Sequence, residues 1–551
     1  MKIFDKFKLD MTLNNFLLIV SLYMGYVLNI KFVKEFIFKF QITDVRSFFC
    51  FVLGFVIIPI PIYVLLNIFS FKKLVKPLSI ILIIISSVTN FMMLNNGIVI
   101  DSDMIRNVFE TNTREALDLI SIRQLFYIFL TGILPSILIY KINIKYDTFF
   151  KNIKKRIIYV LCALIFTLAY VAAFYKVLAP FGRNNNKIQR NYNVGNYING
   201  TYEYLAQKAK ANKKFKILDE NVQNAEWEDN ITDVIVLIVG ETARANNFSL
   251  LGYDKKTNPN LEKIENLVYS KAIACGTATA KSLPCMFSPY DRKEVNIDDA
   301  RNEENLLDFF VKAGWKVIWK DNDDGCKGVC NRVENYMMKD SKDSKHCFGD
   351  YCHDESLFEG LEGILNNIQP KQKTLIVLHM MGSHGPTYYK RYPNEFRKFQ
   401  PTCDTADIQK CTQEELINTY DNTILYTDYV ISSVINTVKK YKNFESSVVY
   451  LSDHGESLGE NGVYLHGLPY SIAPHYQTEV PLIIWLSDNI IEYDHFDFDC
   501  IDKFFKNDNA LSHDNFFHSM LGIGEIDSML YKKEYDFFNN CRKEKLDFMK
   551  R

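Results

Sequence analysis

One threonine, two acidic residues and a pool of imidazoles are the reactive groups that stand out in this 551-residue chain. All ten histidines follow Met337, and the first 180 residues are dominated by apolar runs. Glu241, Asp453 and His454 are an oxygen and nitrogen donor set of the kind zinc accepts, and a catalytic zinc keeps one position for water or substrate. A hydroxyl in that position loses its proton more readily and becomes a nucleophile near neutral pH. Thr279 is the best hydroxyl for the role, because a short disulfide loop between Cys275 and Cys285 would hold it still. His384 and His466 add two further imidazoles. Taken singly these features are weak: an Asp-His-Gly turn is common, and a loop histidine is more often just that. Together they suggest phosphoryl-group transfer.

The elements that must position these residues follow from hydrophobic patterning. Short β-type runs at Val234–Val239, Trp315–Trp319, Leu375–His379, Ser447–Leu451 and Val480–Trp485 alternate with amphipathic segments, with helices expected over 413–440 and near 303–313 and 356–367. This alternation predicts an α/β domain with a central, largely parallel sheet. In such folds functional residues gather beyond the carboxyl ends of the strands. Glu241, His384 and Asp453-His454 each follow one of the predicted strands.

The N-terminal third has a different solvent. Five stretches, near 13–31, 47–70, 77–96, 122–141 and 157–179, are apolar over the roughly 20 residues a bilayer-spanning helix needs. Pro59 and Pro61 predict a kink in the second. Lys and Arg near the span ends, most clearly the run from Lys141 to Arg156, place the N-terminus in the cytoplasm. An odd number of spans then puts everything after residue 180 outside. The first span lacks a small-residue cleavage site and reads as a retained anchor. The expected organisation is a transmembrane domain over 1–180, a polar linker or interfacial segment over 181–230, and a catalytic domain over 231–551. A net charge of −1 argues against a nucleic-acid binder.

Cysteine usage bears on the same topology. Cys50 and Cys162 lie in predicted spans, whereas eight of the other ten fall in close pairs: Cys275/Cys285, Cys326/Cys330, Cys347/Cys352 and Cys403/Cys411. Such crowding reads as disulfides in an oxidising compartment, with a four-cysteine zinc site or free thiols as the alternatives. Cys500 and Cys541 are either a fifth pair or two free thiols.

Several motifs in one order carry a family resemblance: VGETAR (239–244), CGTATA (275–280), SLPCMFS (282–288), GSHGP (382–386), YDNTILYTD (420–428) and LSDHGESLGE (451–460). With them the chain resembles the membrane-bound lipid A phosphoethanolamine transferases over its whole length. The resemblance implies an alkaline-phosphatase-like domain with zinc held by Glu241, Thr279, Asp453 and His454. It implies that Thr279 attacks phosphatidylethanolamine, releases diacylglycerol, and passes phosphoethanolamine to an envelope acceptor, typically a lipid A phosphate. His384 and His466 match positions that contact substrate or a second zinc; two metals about 4 Å apart would clamp the attacking and leaving oxygens. Asn107, Thr111 and Glu115, four apart and so along one helix face, match donor-binding positions, as does Lys327. Asp324 departs from the family, which often carries serine there; a carboxylate beside a phosphate site repels it unless paired, with Lys327 as the candidate partner. The implied setting is a bacterial inner membrane with the catalytic domain in the periplasm. Modification of lipid A would lower polymyxin binding, because each added ammonium offsets phosphate charge.

Two other classes compete with this expectation. A phosphoglycerol transferase of the lipoteichoic-acid-synthase type shares the five spans, the threonine and the fold, but the four cysteine pairs and the 107–115 loop favour phosphoethanolamine. A non-catalytic membrane scaffold would not need Glu241, Thr279, Asp453 and His454 intact. Simple phosphatase or sulfatase chemistry is the remaining variant, since water can resolve the same type of intermediate.

Overall fold

The computed structural model describes residues 9–111, 113–185, 188–210, 214–224, 232–341, 344–349, 351–493, 496–507 and 511–542. The chain forms two compact units, one from Met1–Ile105 with Ile120–Tyr204 and one from Arg106–Leu119 with Leu205–Arg551.

The first unit is helical. Among the described residues four helices, Val45–Ile68, Val75–Asn95, Ile122–Lys141 and Phe149–Asn184, are long and apolar enough to cross a membrane. The predicted first span is instead a bent pair, Leu13–Tyr26 and Ile30–Lys39, at 62°. Buried Asn29 and Asn193 account for the bend. Asn29 Nδ2 donates to the Met24 carbonyl (2.9 Å), and Asn193 Nδ2 donates to the carbonyls of Leu28 and Ser86 (2.8 Å each). Main-chain groups freed by the break thus stay hydrogen-bonded, as a low-dielectric setting demands. Pro59 interrupts the second span between Val45–Ile57 and Ile60–Ile68, and Arg156 caps its end by donating to the carbonyls of Asn67 (2.9 Å) and Ile68 (2.6 Å). Only 6% of the most apolar window in Phe149–Asn184 is buried, an outward apolar face that suits lipid and not water.

The second unit is built on an eight-stranded sheet: β1 (Thr232–Gly240), β2 (Leu267–Ile273), β3 (Lys316–Asp321), β4 (Glu334–Met337), β5 (Thr374–His379), β6 (Phe444–Ser452), β7 (Glu479–Leu486) and β8 (Leu511–Ser512). Their spatial order is β8-β2-β7-β6-β1-β5-β3-β4. β6, β1, β5, β3 and β4 run parallel, whereas β7 is antiparallel to both β6 and β2, so the sheet is mixed. The central strands are continuous apolar runs because both faces are covered. Leu237 and Val377 face a core with Phe287, Phe309 and Trp319, while Val236 and Ile376 face one with Tyr420, Ile424 and Ile431 of the helix Gln413–Val438. That helix starts at a Thr412/Glu415 capping box. The helix expected over 356–367 is two, Glu355–Phe358 and Leu361–Asn366, parted by Gly360 at φ +78°.

Disulfides join Cys275–Cys285, Cys326–Cys330, Cys347–Cys352, Cys403–Cys411 and Cys500–Cys541.

Candidate metal and nucleophile centre

Parallel pairing sets the heights of the reactive groups. Gly240 of β1 is level with Ser452 of β6, so Glu241 and Asp453 leave the sheet side by side, and the Asp453 N–H donates to the Gly240 carbonyl (2.9 Å). Two glycines make room for their neighbours here. A Cβ on Gly240 would collide with the Tyr450 ring, and one on Gly382 would lie 2.5 Å from the Glu241 carbonyl. Thr242 holds φ +59°, a strained setting for a β-branched residue that two bonds fix: its N–H to Asp453 Oδ1 (3.2 Å) and its carbonyl from Tyr420 Oη (2.7 Å).

Thr279 is the first residue of the helix Thr279–Met286, at its positive end. Its hydroxyl donates to Glu241 Oε2 (2.9 Å) and lies 3.4 Å from His454 Nε2. His454 Nε2 is also 3.4 Å from Glu241 Oε1 and from Asp453 Oδ2. The other ring nitrogen, Nδ1, donates to the Gly455 carbonyl (2.9 Å), which fixes the tautomer and leaves the Nε2 lone pair facing the acids. Ser282, on the same helix as Thr279, donates to the main-chain carbonyl of Asp453 and ties that helix to the loop after β6.

Glu241, Asp453 and His454 are fully buried and offer ligand atoms within 4.8 Å of one another. Asp453 Oδ2 has no hydrogen-bond partner, which is costly for a buried carboxylate. Burial, reinforced by Asp453, pushes the Glu241 carboxyl up to about 8; burial raises Asp453 to about 6, and burial with the neighbouring His466 lowers His454 to about 4. Two crowded acids beside a neutral imidazole are stable as anions only with a cation among them. The donor set therefore fits a divalent metal with borderline N/O preference.

His384 and His466 stand beside this centre. The His466 ring is 4.5 Å from that of His454 and 5.3 Å from that of His384. His466 Nδ1 faces Glu456 Oε2 at 3.4 Å, and burial raises that carboxyl to about 8. The Cys326–Cys330 loop carries Lys327, at φ +48°, whose Nζ donates to the main-chain carbonyl of Asp324 (3.2 Å).

The segment around Asn107 is not the single helix its spacing predicts. One helix ends at Glu110 and a second runs Thr113–Asp118. Thr111 still directs both its N–H (2.7 Å) and its hydroxyl (2.6 Å) to the Asn107 carbonyl, four residues back. The side chain of Glu115 lies outside the described residues.

Sequence reasoning passed over a second buried group, Glu241, Asp323 and His379. His379 Nδ1 is 3.0 Å from Asp321 Oδ2, and Asp321 also accepts from Trp319 Nε1 (2.8 Å). Burial opposes a charge on His379, but the neighbouring Asp321 overrides it and raises the imidazole to about 9. Its signal was present: His379 ends a predicted strand, and Asp323 sits in the acidic turn after another.

Comparison with known proteins adds an independent line. Residues 233–526 match the sulfatase family model, and residues 60–209 match a model described as phosphoethanolamine transferase EptA/EptB. Phosphoethanolamine transferase EptA of Escherichia coli K12 is 39% identical over 539 residues, 96% of each chain. Phosphatidylethanolamine transferase Mcr-1 from Escherichia coli is 35% identical over 431 residues, 76% of this chain and 79% of its own. The integral membrane lipooligosaccharide phosphoethanolamine transferase A (EptA) from Neisseria meningitidis matches with a TM-score of 0.93 at 34% identity, covering 98% of this chain and 100% of that one. With a membrane helix unit, a mixed-sheet sulfatase-type unit and a buried Glu/Asp/His centre beside Thr279, the chain belongs to the EptA family of phosphoethanolamine transferases.

Proposed function

We propose that this chain transfers phosphoethanolamine from phosphatidylethanolamine to a lipid A phosphate through a covalent intermediate on Thr279. The observation that carries the reading is the Thr279 hydroxyl, hydrogen-bonded to Glu241 and 3.4 Å from His454 in a buried anionic pocket. In the first half-reaction Thr279 Oγ forms a bond to phosphorus, the bond from phosphorus to the glyceride oxygen breaks, and diacylglycerol leaves. In the second, a lipid A phosphate oxygen forms the new bond to phosphorus and the bond to Thr279 Oγ breaks.

Glu241, Asp453, His454 and Thr279 itself would hold zinc. Bound there, zinc supplies positive charge that favours the alkoxide form of threonine and the anionic phosphoryl oxygens. Glu241 Oε2 orients the threonine hydroxyl, and the Gly455 carbonyl keeps His454 in the tautomer whose Nε2 can bind metal. His384 and His466 serve the substrate or a second zinc: the departing glyceride oxygen needs a proton, and an imidazole N–H delivers one. Asn107, Thr111, Glu115 and Lys327 form the donor site, with Glu115 as the partner of the ethanolamine ammonium.

The bent pair Leu13–Tyr26 and Ile30–Lys39, counted as one span, brings the total to five. Five spans with a cytoplasmic N-terminus put the catalytic unit in the periplasm of an inner-membrane protein. The working division is a membrane domain over 1–180, a linker over 181–230 and a catalytic domain over 231–551. Modified lipid A would bind polymyxin less well.

Intact mass of the purified full-length chain after incubation with phosphatidylethanolamine tests the core of this reading. A phosphoethanolamine adduct on wild type and none on Thr279→Ala is the expected result. An adduct from phosphatidylglycerol instead would identify a phosphoglycerol transferase.

A further inference from the structure

Arg301 stands at the junction of three pieces of chain. Its guanidinium forms a fork on Glu110, Nη1 to Oε1 at 2.8 Å and Nη2 to Oε2 at 2.7 Å. Nη2 also donates to the main-chain carbonyl of Ala280 at 2.5 Å, one residue beyond Thr279 and in the first turn of the nucleophile helix. Its aliphatic stem lies against Gly328, where a Cβ would meet Arg301 Cγ at 3.4 Å, next to Lys327. Glu110 closes the helix that carries Asn107, and Arg106 on that helix binds Asp298 bidentately at 2.6 and 2.8 Å. The far end of the same segment is held by Asp118, which accepts from Thr387 Oγ1 (3.0 Å), Lys390 Nζ (3.2 Å) and Arg391 Nη2 (3.1 Å). Arg391 in turn donates to the His384 carbonyl at 2.6 Å.

These pairs share a pattern. Two of them join segment 106–118 to an element that carries a residue of the centre: Arg301 to the Thr279 helix and the Lys327 loop, and Arg391 to the His384 loop, while Arg106 ties the segment to Asp298. A fork between guanidinium and carboxylate fixes angle as well as distance. Arg106 and Arg391 are buried, so their pairs are shielded from the solvent screening that makes surface ion pairs weak. Ion pairs with no task beyond stability would have no reason to converge on three loops of one site.

We infer that Glu110 and Arg301 are a positioning pair for the transfer reaction, setting the 106–111 segment at a fixed height over Thr279 so that a zwitterionic phospholipid headgroup meets the nucleophile in line. This rests on the proposed function, in which Asn107 and Thr111 contact the donor. Arg301 does not touch the reacting atoms; it acts through Ala280 and Glu110. A headgroup displaced by about 1 Å loses on the order of 100-fold in rate, which is why a rigid joint at this place matters.

The test uses full-length protein in phosphatidylethanolamine nanodiscs and two substrates: the lipid donor, and a small soluble phosphodiester that needs Thr279 but not segment 106–118. Glu110→Gln is expected to lower kcat/KM for the lipid about tenfold or more, with kcat falling, while small-diester turnover stays within about twofold. Arg301→Gln is expected to impair both, because it also releases Ala280, and the double variant to be no worse than Arg301→Gln alone; Arg301→Lys should recover only part, since lysine lacks the fork. Multiplying losses in the double variant, or an equal loss of both activities in Glu110→Gln, would overturn the pair. Absence of any phosphatidylethanolamine adduct in wild type would instead sink the donor assignment. Amide exchange of segment 106–111 then decides the joint: faster exchange in Glu110→Gln and Arg301→Gln alike supports it, and unchanged exchange refutes it.

Discussion

The hydroxyl of Thr279 and the carboxylate of Glu241 meet at 2.9 Å although 38 residues separate them, and each comes from a different kind of element, a helix start and a strand end. A single contact of this kind contributes little to holding the unit together. Thr279→Ala should therefore fold with a stability within about 1 kcal/mol of wild type, the usual worth of one hydrogen bond. It should form no covalent adduct, whereas Thr279→Ser should still form one. Intact mass and thermal melting on the same preparations check both halves.

The buried acids predict how the protein responds to metal removal. Glu241 and Asp453, pushed up to about 8 and about 6 by burial, take up protons when no cation is present. Zinc at a hundredfold excess over its dissociation constant should stabilise the unit by about 2.7 kcal/mol. Because protons compete for the same oxygens, that gain should shrink as pH falls from 8 to 6. Melting with and without chelator at each pH measures it, and Glu241→Gln should remove most of the difference.

Asp298 gives a second pH dependence of known sign. The hydrogen bonds from Arg106 hold its carboxyl below the ordinary 3.8. A lowered folded value means that its contribution is fully present above 3.8 and is lost as pH falls through the folded value. The melting difference between wild type and Asp298→Asn should be constant from neutral pH to about pH 5 and should close below the ordinary carboxylate range. A difference that grew on acidification would contradict the ion pair.

Gly382 is a position where one methyl group should matter. It holds φ +51°, and an added Cβ would lie 2.5 Å from the Glu241 carbonyl, a backbone atom with nowhere to go. Gly382→Ala should cost about 1–3 kcal/mol in unfolding free energy and, by moving Glu241, should weaken metal retention. Metal content after dialysis separates this from a general loss of fold, because Gly363→Ala, with open space around it, should leave content unchanged.

Much of the second unit was legible because buried parallel strands are written as unbroken apolar runs; β1, β5 and β6 are examples. β2 was not, since Leu267–Ile273 alternates buried with half-exposed residues and includes Lys271, and β4 is a largely exposed edge strand. The direction of β7 is set by what precedes it in space and leaves no mark in composition. In the first unit, apolar length revealed the spans but not the bend, which depends on Asn193 returning to Leu28 from 165 residues away. The centre was legible where a motif put ligands next to each other, as in Asp453-His454. Asp323, His379, Glu110 and Arg301 were missed for the opposite reason: each finds its partner only through folding, and Glu110 meets Arg301 across 191 residues.

The level pairing of Gly240 with Ser452, and of Val239 with His379, makes the centre sensitive to length in a way it is not to composition. Strands advance in steps of about 3.3 Å and turn their side chains over at every step. Adding or deleting one residue inside β1, β5 or β6 would either move a ligand by more than a metal–ligand bond or reverse the face on which it leaves the sheet. Substitution can thus retune this enzyme gradually, whereas any insertion that alters its substrate range must enter the loops beyond the ligands.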